Sequence, residues 1–295
     1  MKNKSKKKLL LLAVFLLVVL VGCTRNTDSN GLVIPERMIS LSTSFSQMIS
    51  GGDWFSAIFV WPIAQLINFL NQYVGIVWAI AIATIAVNAL TLPLTAKSTA
   101  GTQKMQMMQP EIDKINKKYE GKNDQNSLLQ KNNEIQKLYQ KYDINPMSTL
   151  LGTFITFPII IAMWNAVQRA EAVAYGVFLG MDLQITPMAG FQSQQWGYVV
   201  IFILMGIMQF ISMKLPSWIA KQKLKEDRSY KSYAAPKKKS GGNDTMMLVM
   251  WVFIMFISVN WPTAMSVYWF FSSLVTIVKT LYIDKFHTSK DNTGK

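Results

Sequence analysis

The sequence predicts an all-α polytopic membrane protein, and three observations support this fold class. Apolar residues make up 51% of the 295 positions, and several long runs of the chain carry no charge. None of the runs predicted to span the membrane contains Asp or Glu. The formal net charge is +14, and most Lys and Arg residues lie between the apolar runs rather than within them. We therefore expect membrane-spanning helices that are joined by basic loops.

The first predicted span covers residues 74–94. Its 21 residues carry no charge, and at about 1.5 Å of rise per residue such a helix crosses roughly 30 Å of hydrocarbon. Polar residues recur along this span at spacings of four, three and four, which places them on one helix face: Thr84, Asn88, Thr91 and Thr95. This stripe has two interpretations, which are contacts that join neighbouring helices and the wall of a polar cavity within the bilayer.

Residues 1–22 have the three parts of a secretory signal peptide, namely a lysine-rich start, an apolar stretch and a small-residue end. The sequence Leu-Val-Gly-Cys that ends at Cys23 is similar to a bacterial lipobox, which predicts a lipoprotein carrying palmitate on Cys23. The alternative is an uncleaved anchor with an incidental cysteine. Cys23 is the only cysteine, so the chain forms no intrachain disulfide and no cysteine metal cluster.

Two segments separate the signal peptide from the first span. Residues 23–53 are polar and contain glycine breakers, which predicts an extracytoplasmic tether. Residues 54–73 are rich in aromatic side chains and contain Pro62. This composition is typical of an amphipathic helix that lies in the outer membrane interface.

Four further spans are predicted, at residues 146–168, 196–213, 245–260 and 262–283. The fourth is short, so a re-entrant segment is an alternative for it. Lys and Arg are concentrated in loops 97–145 and 214–244 and in the tail 284–295, whereas the loop 169–195 has a single Arg. By the positive-inside rule the basic segments are cytoplasmic and the loop 169–195 is extracytoplasmic. The N-terminus then lies outside, as a lipid-modified cysteine requires.

The loop 97–145 has a helical pattern of its own. Apolar residues recur every three or four positions on both sides of a Gly-Lys-Asn-Asp turn: Met105, Met108, Ile112, Ile115 and Tyr119, then Leu128, Ile135, Leu138 and Tyr142. The pattern predicts a cytoplasmic helical hairpin with a narrow apolar seam. A coiled-coil spacer and a docking arm for a partner have the same pattern.

The residues that enzymes and proton-coupled carriers require are scarce in this sequence. The only histidine, His287, lies in the tail, and no Gly-x-x-x-x-Gly-Lys-Ser/Thr motif is present. We expect a non-enzymatic protein with no catalytic residues, no cofactor and no metal site.

Two other spans carry polar stripes as well. The last span has Ser266, Trp269, Ser273, Thr276 and Thr280, and the second has Thr149, Thr153 and Thr156. Stripes on three helices favour a shared hydrophilic groove, while helix packing remains the other interpretation. A small-solute channel or carrier with a polar pore, and a structural lipoprotein whose stripes only join helices, are the rival functions.

In order along the chain, several segments resemble the YidC/Oxa family of membrane protein insertases. They are the lipobox, TLPLTAK, KMQMMQPEIDKINKKY, NPMSTLLGTFITFPIIIAMW and NWPTAMSVYWFFSS. The resemblance covers roughly residues 54–285 and implies five transmembrane helices around a hydrophilic groove. This groove opens to the cytoplasm and to lipid and helps nascent membrane proteins to insert and fold without nucleotide hydrolysis.

The resemblance also implies site residues and partners. The family has a groove Arg five residues before the Pro of its Leu-Pro-Leu motif, and this chain has Asn88 there. The Gln that the family has in the second span is Thr156, whereas the Tyr-Trp pair of the last span is intact and ends at Trp269. The expected substrate groove consists of Thr84, Asn88, Thr91, Thr156, Trp269 and Ser273.

Met105, Met107 and Met108 offer an adaptable apolar surface for clients, with helix packing as the alternative role. Expected partners are nascent membrane proteins and membrane lipids, with a Sec-type translocon and the ribosome as candidates and DNA excluded.

Overall fold

The computed structural model of the chain describes residues 34–122, 124–142, 144–226 and 242–285. The predicted signal peptide, the lipidation site Cys23 and the tail residues 286–295 lie outside these ranges, as do residues 227–241 of the second basic loop. The side chains of Met107, Thr149 and Thr153 are also outside the described set.

Within the described ranges the chain is mainly helical, in agreement with the predicted class. The α-helices are α1 Phe45–Ser50, α2 Trp61–Val74, α3 Ile76–Met107, α4 Gln109–Lys118, α5 Gln125–Lys141, α6 Pro146–Arg169, α7 Glu171–Ala174, α8 Pro187–Gln192, α9 Trp196–Glu226, α10 Gly242–Ser258 and α11 Thr263–Ile283. A 3₁₀ turn at Pro35–Arg37 and a π-helical segment at Ser56–Val60 precede α2. Two short antiparallel strands, β1 Val177–Phe178 and β2 Met181–Asp182, form a hairpin.

Three helices in the described ranges are long and apolar enough to cross a membrane: Ile76–Ala96, Trp196–Gln222 and Thr263–Ile283. They overlap the first, third and fifth predicted spans, and Trp196–Gln222 extends nine residues past the predicted end of the third span at residue 213. A shorter apolar helix, Thr245–Ser258, coincides with the fourth. The second predicted span lies in α6, which has 24 residues. A count of five transmembrane helices therefore stays a prediction.

Helix α3 is longer than the span that the sequence predicts. It continues through Pro93 as far as Met107, whereas the apolar run ends at Leu94. Pro93 removes one backbone donor, but the polar residues that follow it are compatible with a helix. The helix ends next to Met108, which caps α4, because Pro110 has no backbone N–H to continue the hydrogen bonds of α3 and is tolerated in the first turn of α4.

Helices α4 and α5 pack against each other through a small apolar cluster. Its buried members are Met108, Leu138 and Ile144. Tyr119 at the end of α4 donates a hydrogen bond to Glu134 of α5. These contacts leave Leu128 exposed, although the predicted seam includes it. Leu128 lies in the first turn of α5, beyond the stretch that faces the shorter helix α4.

The described chain divides into two compact units. The first contains residues 34–92, 154–209 and 255–275, and the second contains the described residues within 93–153, 210–254 and 276–285. The main hydrophobic core belongs to the first unit. It joins α2, the start of α3, the end of α6 and the start of α11, and its members include Ile67, Ala79, Ile80, Ala83, Ala162, Met163, Ala166, Val167, Ala264 and Met265. Many of these residues are alanines, which allow helices to approach closely.

Residues 34–53, the described part of the predicted extracytoplasmic tether, form backbone and side-chain contacts within the first unit. The backbone of Ile39 forms a parallel bridge with that of Ala170. Side chains of α2 bond to the same segment: Asn68 Nδ2 donates to the Ile39 carbonyl at 2.7 Å, and Gln65 Nε2 donates to the Ser40 carbonyl at 2.8 Å. Two polar residues of the predicted interfacial helix therefore pair with backbone carbonyls of this segment, and the Ile39 carbonyl accepts a second bond from the backbone N–H of Glu171.

Candidate functional site

Helix α3 is packed tightly near its start and opens further along. Ala79 and Leu90 are eleven residues apart, which is about three helical turns, so both lie on nearly the same face of α3. Ala79 is completely buried, whereas Leu90 is 79% exposed. The packing that covers this face near Ala79 is therefore lost before Leu90.

Helix α6 shows the same change in the opposite chain direction. Its later residues Ala162 and Ala166 are buried in the core, whereas Phe154 and Phe157 near its start are exposed. Because the core of the first unit joins the start of α3 to the end of α6, both helices are closely packed at one end only. The residues that the sequence predicts for a groove, Asn88 and Thr91 on α3 and Thr156 on α6, lie on the less packed portions.

The polar stripe of α3 bonds to its own helix. Thr84 Oγ1 donates to the Ile80 carbonyl at 2.7 Å, Asn88 Nδ2 to the Thr84 carbonyl at 2.9 Å, and Thr91 Oγ1 to the Val87 carbonyl at 2.8 Å. Each bond connects a side chain to the carbonyl four residues earlier, a common arrangement for Thr in apolar helices. In the described chain Asn88 makes no other side-chain hydrogen bond, so its amide oxygen has free acceptor capacity.

The six predicted groove residues differ in burial. Thr84 and Ser273 are buried, whereas Asn88, Thr91, Thr156 and Trp269 are half-buried. All six belong to the first unit. The two buried residues therefore support the helices from inside, and the four half-buried residues are the ones that offer polar or aromatic surface.

Helix α11 contributes an aromatic and a hydroxyl contact. Trp269 packs edge-on against Trp261 with 5.7 Å between ring centroids, and Trp261 contacts Trp164 in the same way at 4.3 Å. Ser273 Oγ donates to Gln209 Oε1 of α9 at 2.6 Å. Gln209 is not among the site residues predicted from the sequence, although a lone amide within an apolar span is a signal for such a contact.

The closely packed end of the first unit contains a buried cation that the sequence analysis also missed. Arg169 Nε donates to the Arg37 carbonyl at 2.8 Å, and its Nη1 donates to Ser56 Oγ at 2.7 Å. The carboxylate of Asp53 lies 3.7 Å from Nη1. Burial lowers the pKa of Arg169, and the nearby Asp53 opposes this shift. Arginine keeps its charge in proteins, so Arg169 holds residues 34–56 to the end of α6 as a cation.

The chemistry of the site consists of hydrogen bonding and apolar contact. In the described part of the chain no group of three or more His, Cys, Asp or Glu residues could hold a metal ion. The half-buried amide, hydroxyl and indole groups can pair with polar groups of a bound chain, and the exposed apolar residues can contact lipid or a hydrophobic helix.

These features define a class, the helical membrane proteins that carry hydrogen-bonding side chains along their membrane-spanning helices. Within that class, residues 68–291 match the sequence model of the family described as 60Kd inner membrane protein. The chain belongs to this family, which confirms the resemblance to the YidC/Oxa insertases.

Individual relatives agree with the family match. The chain is 28% identical over 285 residues to the protein from Bacillus anthracis named membrane protein insertase YidC 2, and the alignment covers 95% of this chain and 94% of that one. It is 27% identical over 226 residues to membrane protein insertase MisCA of Bacillus subtilis, with 76% and 77% covered. A 30% identical protein named membrane protein insertase YidC, from Mycoplasmopsis pulmonis, is longer, and the chain spans 44% of its length.

Proposed function

We propose that this chain is a membrane protein insertase that assists the insertion and folding of nascent membrane proteins. The observation that carries this proposal is the alignment with relatives named membrane protein insertases, one of which matches over nearly the whole length of both chains. The family match over residues 68–291 supports the same function.

The proposed client site is a hydrophilic groove whose surface includes Asn88, Thr91, Thr156 and Trp269. Their half-burial supports this assignment, as does the exposure of Leu90 on the same portion of α3. Thr84 and Ser273 hold the wall of the groove from behind. The free acceptor of Asn88 gives the wall a group that can pair with the backbone N–H of a client.

The groove would act by lowering a desolvation barrier. Each polar group that enters hydrocarbon without a hydrogen-bond partner costs several kcal/mol. A short hydrophilic segment therefore crosses the bilayer more easily where water and hydroxyl groups extend part of the way through it. The hydrophobic helix of the client then moves into lipid, and burial of its apolar surface supplies the driving force. Nucleotide hydrolysis is not part of this mechanism, and we assign no catalytic residue.

We further propose that the groove is closed on the outer side. The tightly packed core and the contacts of Arg169 with Ser56 and the Arg37 carbonyl support a seal at that end. A seal of this kind favours an insertase over a channel or carrier, whose pore must open on both sides.

The proposed topology follows the distribution of charge. Five transmembrane helices would place the lipid-modified Cys23 outside and the C-terminal tail in the cytoplasm of a bacterial cell. Helices α4 and α5 would then be cytoplasmic, either as a docking arm for a partner or as a spacer. Nascent membrane proteins are the proposed clients, and a Sec-type translocon and the ribosome are candidate partners.

Depletion of the protein in cells tests the function directly. We expect newly made membrane proteins with short translocated segments to remain uninserted on the cytoplasmic side. Protease protection of their translocated segments after pulse labelling measures this failure. The matching reconstitution uses purified protein in liposomes and a single-span client. Insertion without solute flux supports an insertase, and flux without insertion supports the channel.

Thiol accessibility tests the groove itself. Single cysteines at Asn88 and Thr156, in a Cys23→Ser background, should react with a membrane-impermeant maleimide added from the cytoplasmic side only. A cysteine at Ile203, an exposed apolar position of α9, is the control and should not react from either side. Failure of positions 88 and 156 to react, or reaction from the outer side, would contradict the groove.

A further inference from the structure

The hairpin formed by β1 and β2 has a strongly apolar tip. Leu179 and Gly180 form its two-residue turn, and the side chain of Leu179 is 82% exposed, the highest value among the large apolar residues that the structure describes. The surrounding segment, residues 173–181, contains no charged residue, and the exposed carboxylate of Asp182 lies at the base of the hairpin. In water this tip would expose apolar surface without any compensating contact.

The backbone of the turn makes Leu179 an unexpected residue at this position. Leu179 has φ 51° and Gly180 has φ 78°. Two-residue hairpin turns with positive φ at both positions normally use Asn-Gly or Asp-Gly, because a branched apolar side chain is strained there. Leu179 therefore carries a backbone strain that Asn would reduce, and it also exposes its side chain. A contact outside the described chain would compensate for both features.

The residue that follows β2 is hydrogen-bonded to the start of α11, a candidate membrane-spanning helix. Leu183, the residue after β2, is buried in the core. Its carbonyl accepts a hydrogen bond of 2.9 Å from the backbone N–H of Ala264, the second residue of α11. The base of the hairpin is thus at the level where the candidate span Thr263–Ile283 begins.

Two glycine contacts place the hairpin beside the starts of two more spans. A Cβ added to Gly176 would lie 3.1 Å from Ile76, the first residue of the span Ile76–Ala96. A Cβ added to Gly197 would overlap the Sδ of Met181 in β2, and Gly197 is the second residue of α9. The hairpin therefore packs against the same ends of three candidate spans, which is the level of a membrane interface.

Exposed aromatic side chains lie near the starts of these three candidate spans. Trp196 at the start of α9 is exposed and packs edge-on against Phe191 of α8 with 5.9 Å between ring centroids. Tyr175, just before the hairpin, is exposed as well. Exposed Trp and Tyr at span ends are typical of the headgroup region of a bilayer.

We propose that the hairpin tip is a lipid-binding wedge: residues 177–181 insert between phospholipids at the interface where these three spans begin, with Leu179 in the acyl region. Phospholipid is favoured as the occupant because the exposed tip lies beside the starts of three candidate spans, near exposed Trp196 and Tyr175. Residues 177–181 carry no polar or charged side chain, as insertion into the acyl region requires. This inference depends on the membrane-spanning helices and not on the insertase function.

A fluorescence experiment tests the wedge. Leu179→Cys in a Cys23→Ser background is labelled with the dye NBD, and the full chain is reconstituted in phosphatidylcholine and phosphatidylglycerol liposomes. We expect a blue-shifted emission that lipids brominated on the acyl chain quench and aqueous iodide does not. Ile203→Cys in α9 is the lipid-facing control, and Glu120→Cys in the exposed turn after α4 is the water-facing control. Quenching by iodide, with no loss of fluorescence to brominated lipid, would overturn the proposal.

A second measurement avoids the label and uses the native tip. A phospholipid with a photoactivatable acyl chain is added to liposomes that contain the wild-type chain, and cross-linked peptides are identified by mass spectrometry. Cross-links to residues 177–181 are expected in the wild type. They should be lost in Leu179→Gly, which suits the positive φ, while cross-links to α9 persist in both. Absence of tip cross-links in the wild type would also overturn the wedge.

Discussion

Arg169 and Ser56 are 113 positions apart in the sequence, yet Arg169 Nη1 donates a 2.7 Å hydrogen bond to Ser56 Oγ in a buried environment. The bond connects the end of α6 to the segment that precedes α2. Together with the bond from Nε to the Arg37 carbonyl, it uses the planar fork of the guanidinium to hold two chain segments at once.

Replacement of Arg169 should destabilise this end of the first unit. Arg169→Gln leaves Asp53 and the Arg37 carbonyl without their partner, and we expect the free energy of unfolding to fall by about 2–4 kcal/mol. Arg169→Lys should also destabilise, because an ammonium cannot reproduce the two directed bonds. Thermal unfolding in detergent, followed by tryptophan fluorescence, measures the effect. Arg37→Gln is the control with little expected change, since the Arg37 backbone carbonyl forms the contact, and equal losses in both variants would contradict the assignment.

The bond between Ser273 and Gln209 should be measurable as a coupling between α11 and α9. Ser273→Ala and Gln209→Leu, alone and combined, form a double-mutant cycle. We expect a coupling energy of about 0.6 kcal/mol, the average for hydrogen bonds between membrane helices. Reversible unfolding in mixed detergent provides the free energies. Strict additivity of the two substitutions would show that this bond contributes nothing.

Substitution of Asn88 should separate activity from stability. Asn88 bonds only to its own helix among the described contacts, so Asn88→Leu should change the free energy of unfolding by less than about 1 kcal/mol. Insertion of a client into proteoliposomes should nevertheless fall, because the groove loses a hydrogen-bonding group. Thr102→Val is a matched control, since exposed Thr102 also bonds four residues back on α3. A full insertion rate in Asn88→Leu would remove Asn88 from the groove.

The charge of the groove should set client preference. Asn88 donates and accepts hydrogen bonds but does not attract acidic residues, so we expect poor insertion of clients with acidic translocated segments. Asn88→Arg should raise the insertion of an acidic client relative to a neutral one, because a cation at membrane depth is weakly screened. Insertion of paired clients that differ only by Asp-to-Asn substitutions gives this ratio, and an unchanged ratio would rule out the prediction.

The contact between α4 and α5 should depend on pH through Glu134. The hydrogen bond from Lys118, followed by that from Tyr119, lowers the pKa of Glu134 below its ordinary value of 4.5. The ionised carboxylate therefore stabilises the helix pair above pH 4.5, and this contribution is lost as the pH falls through the lowered pKa. Hydrogen exchange of residues 109–141 should show less protection in Glu134→Gln than in wild type at neutral pH. The difference should disappear in acid, and a difference that persists at low pH would have another cause.

Features that depend on local composition could be predicted from the sequence. Features that depend on contacts between residues far apart in the sequence could not. Apolar runs located the spans of α3, α9 and α11, because lipid requires only length and hydrophobicity. Binding of residues 34–53 depends on Arg169 and Asn68, which are far away in sequence. The hairpin at residues 177–182 lacks the Asn-Gly signature of its turn. The spacing of Thr84, Asn88 and Thr91 indicated their common face but not that Thr84 would be buried.

Thr84, Asn88 and Thr91 bond to carbonyls of their own helix. These bonds matter where the molecules or helices next to α3 change. A hydroxyl paired with another helix would lose that partner whenever the neighbouring helix moved or a guest chain departed. Here the hydroxyl of half-buried Thr91 keeps its acceptor whether the adjacent space holds water, lipid or polypeptide, and the hydroxyl of Thr84 is enclosed in the core. If the proposed groove exchanges its occupants beside α3, the half-buried hydroxyl of Thr91 is not stranded in hydrocarbon at any stage.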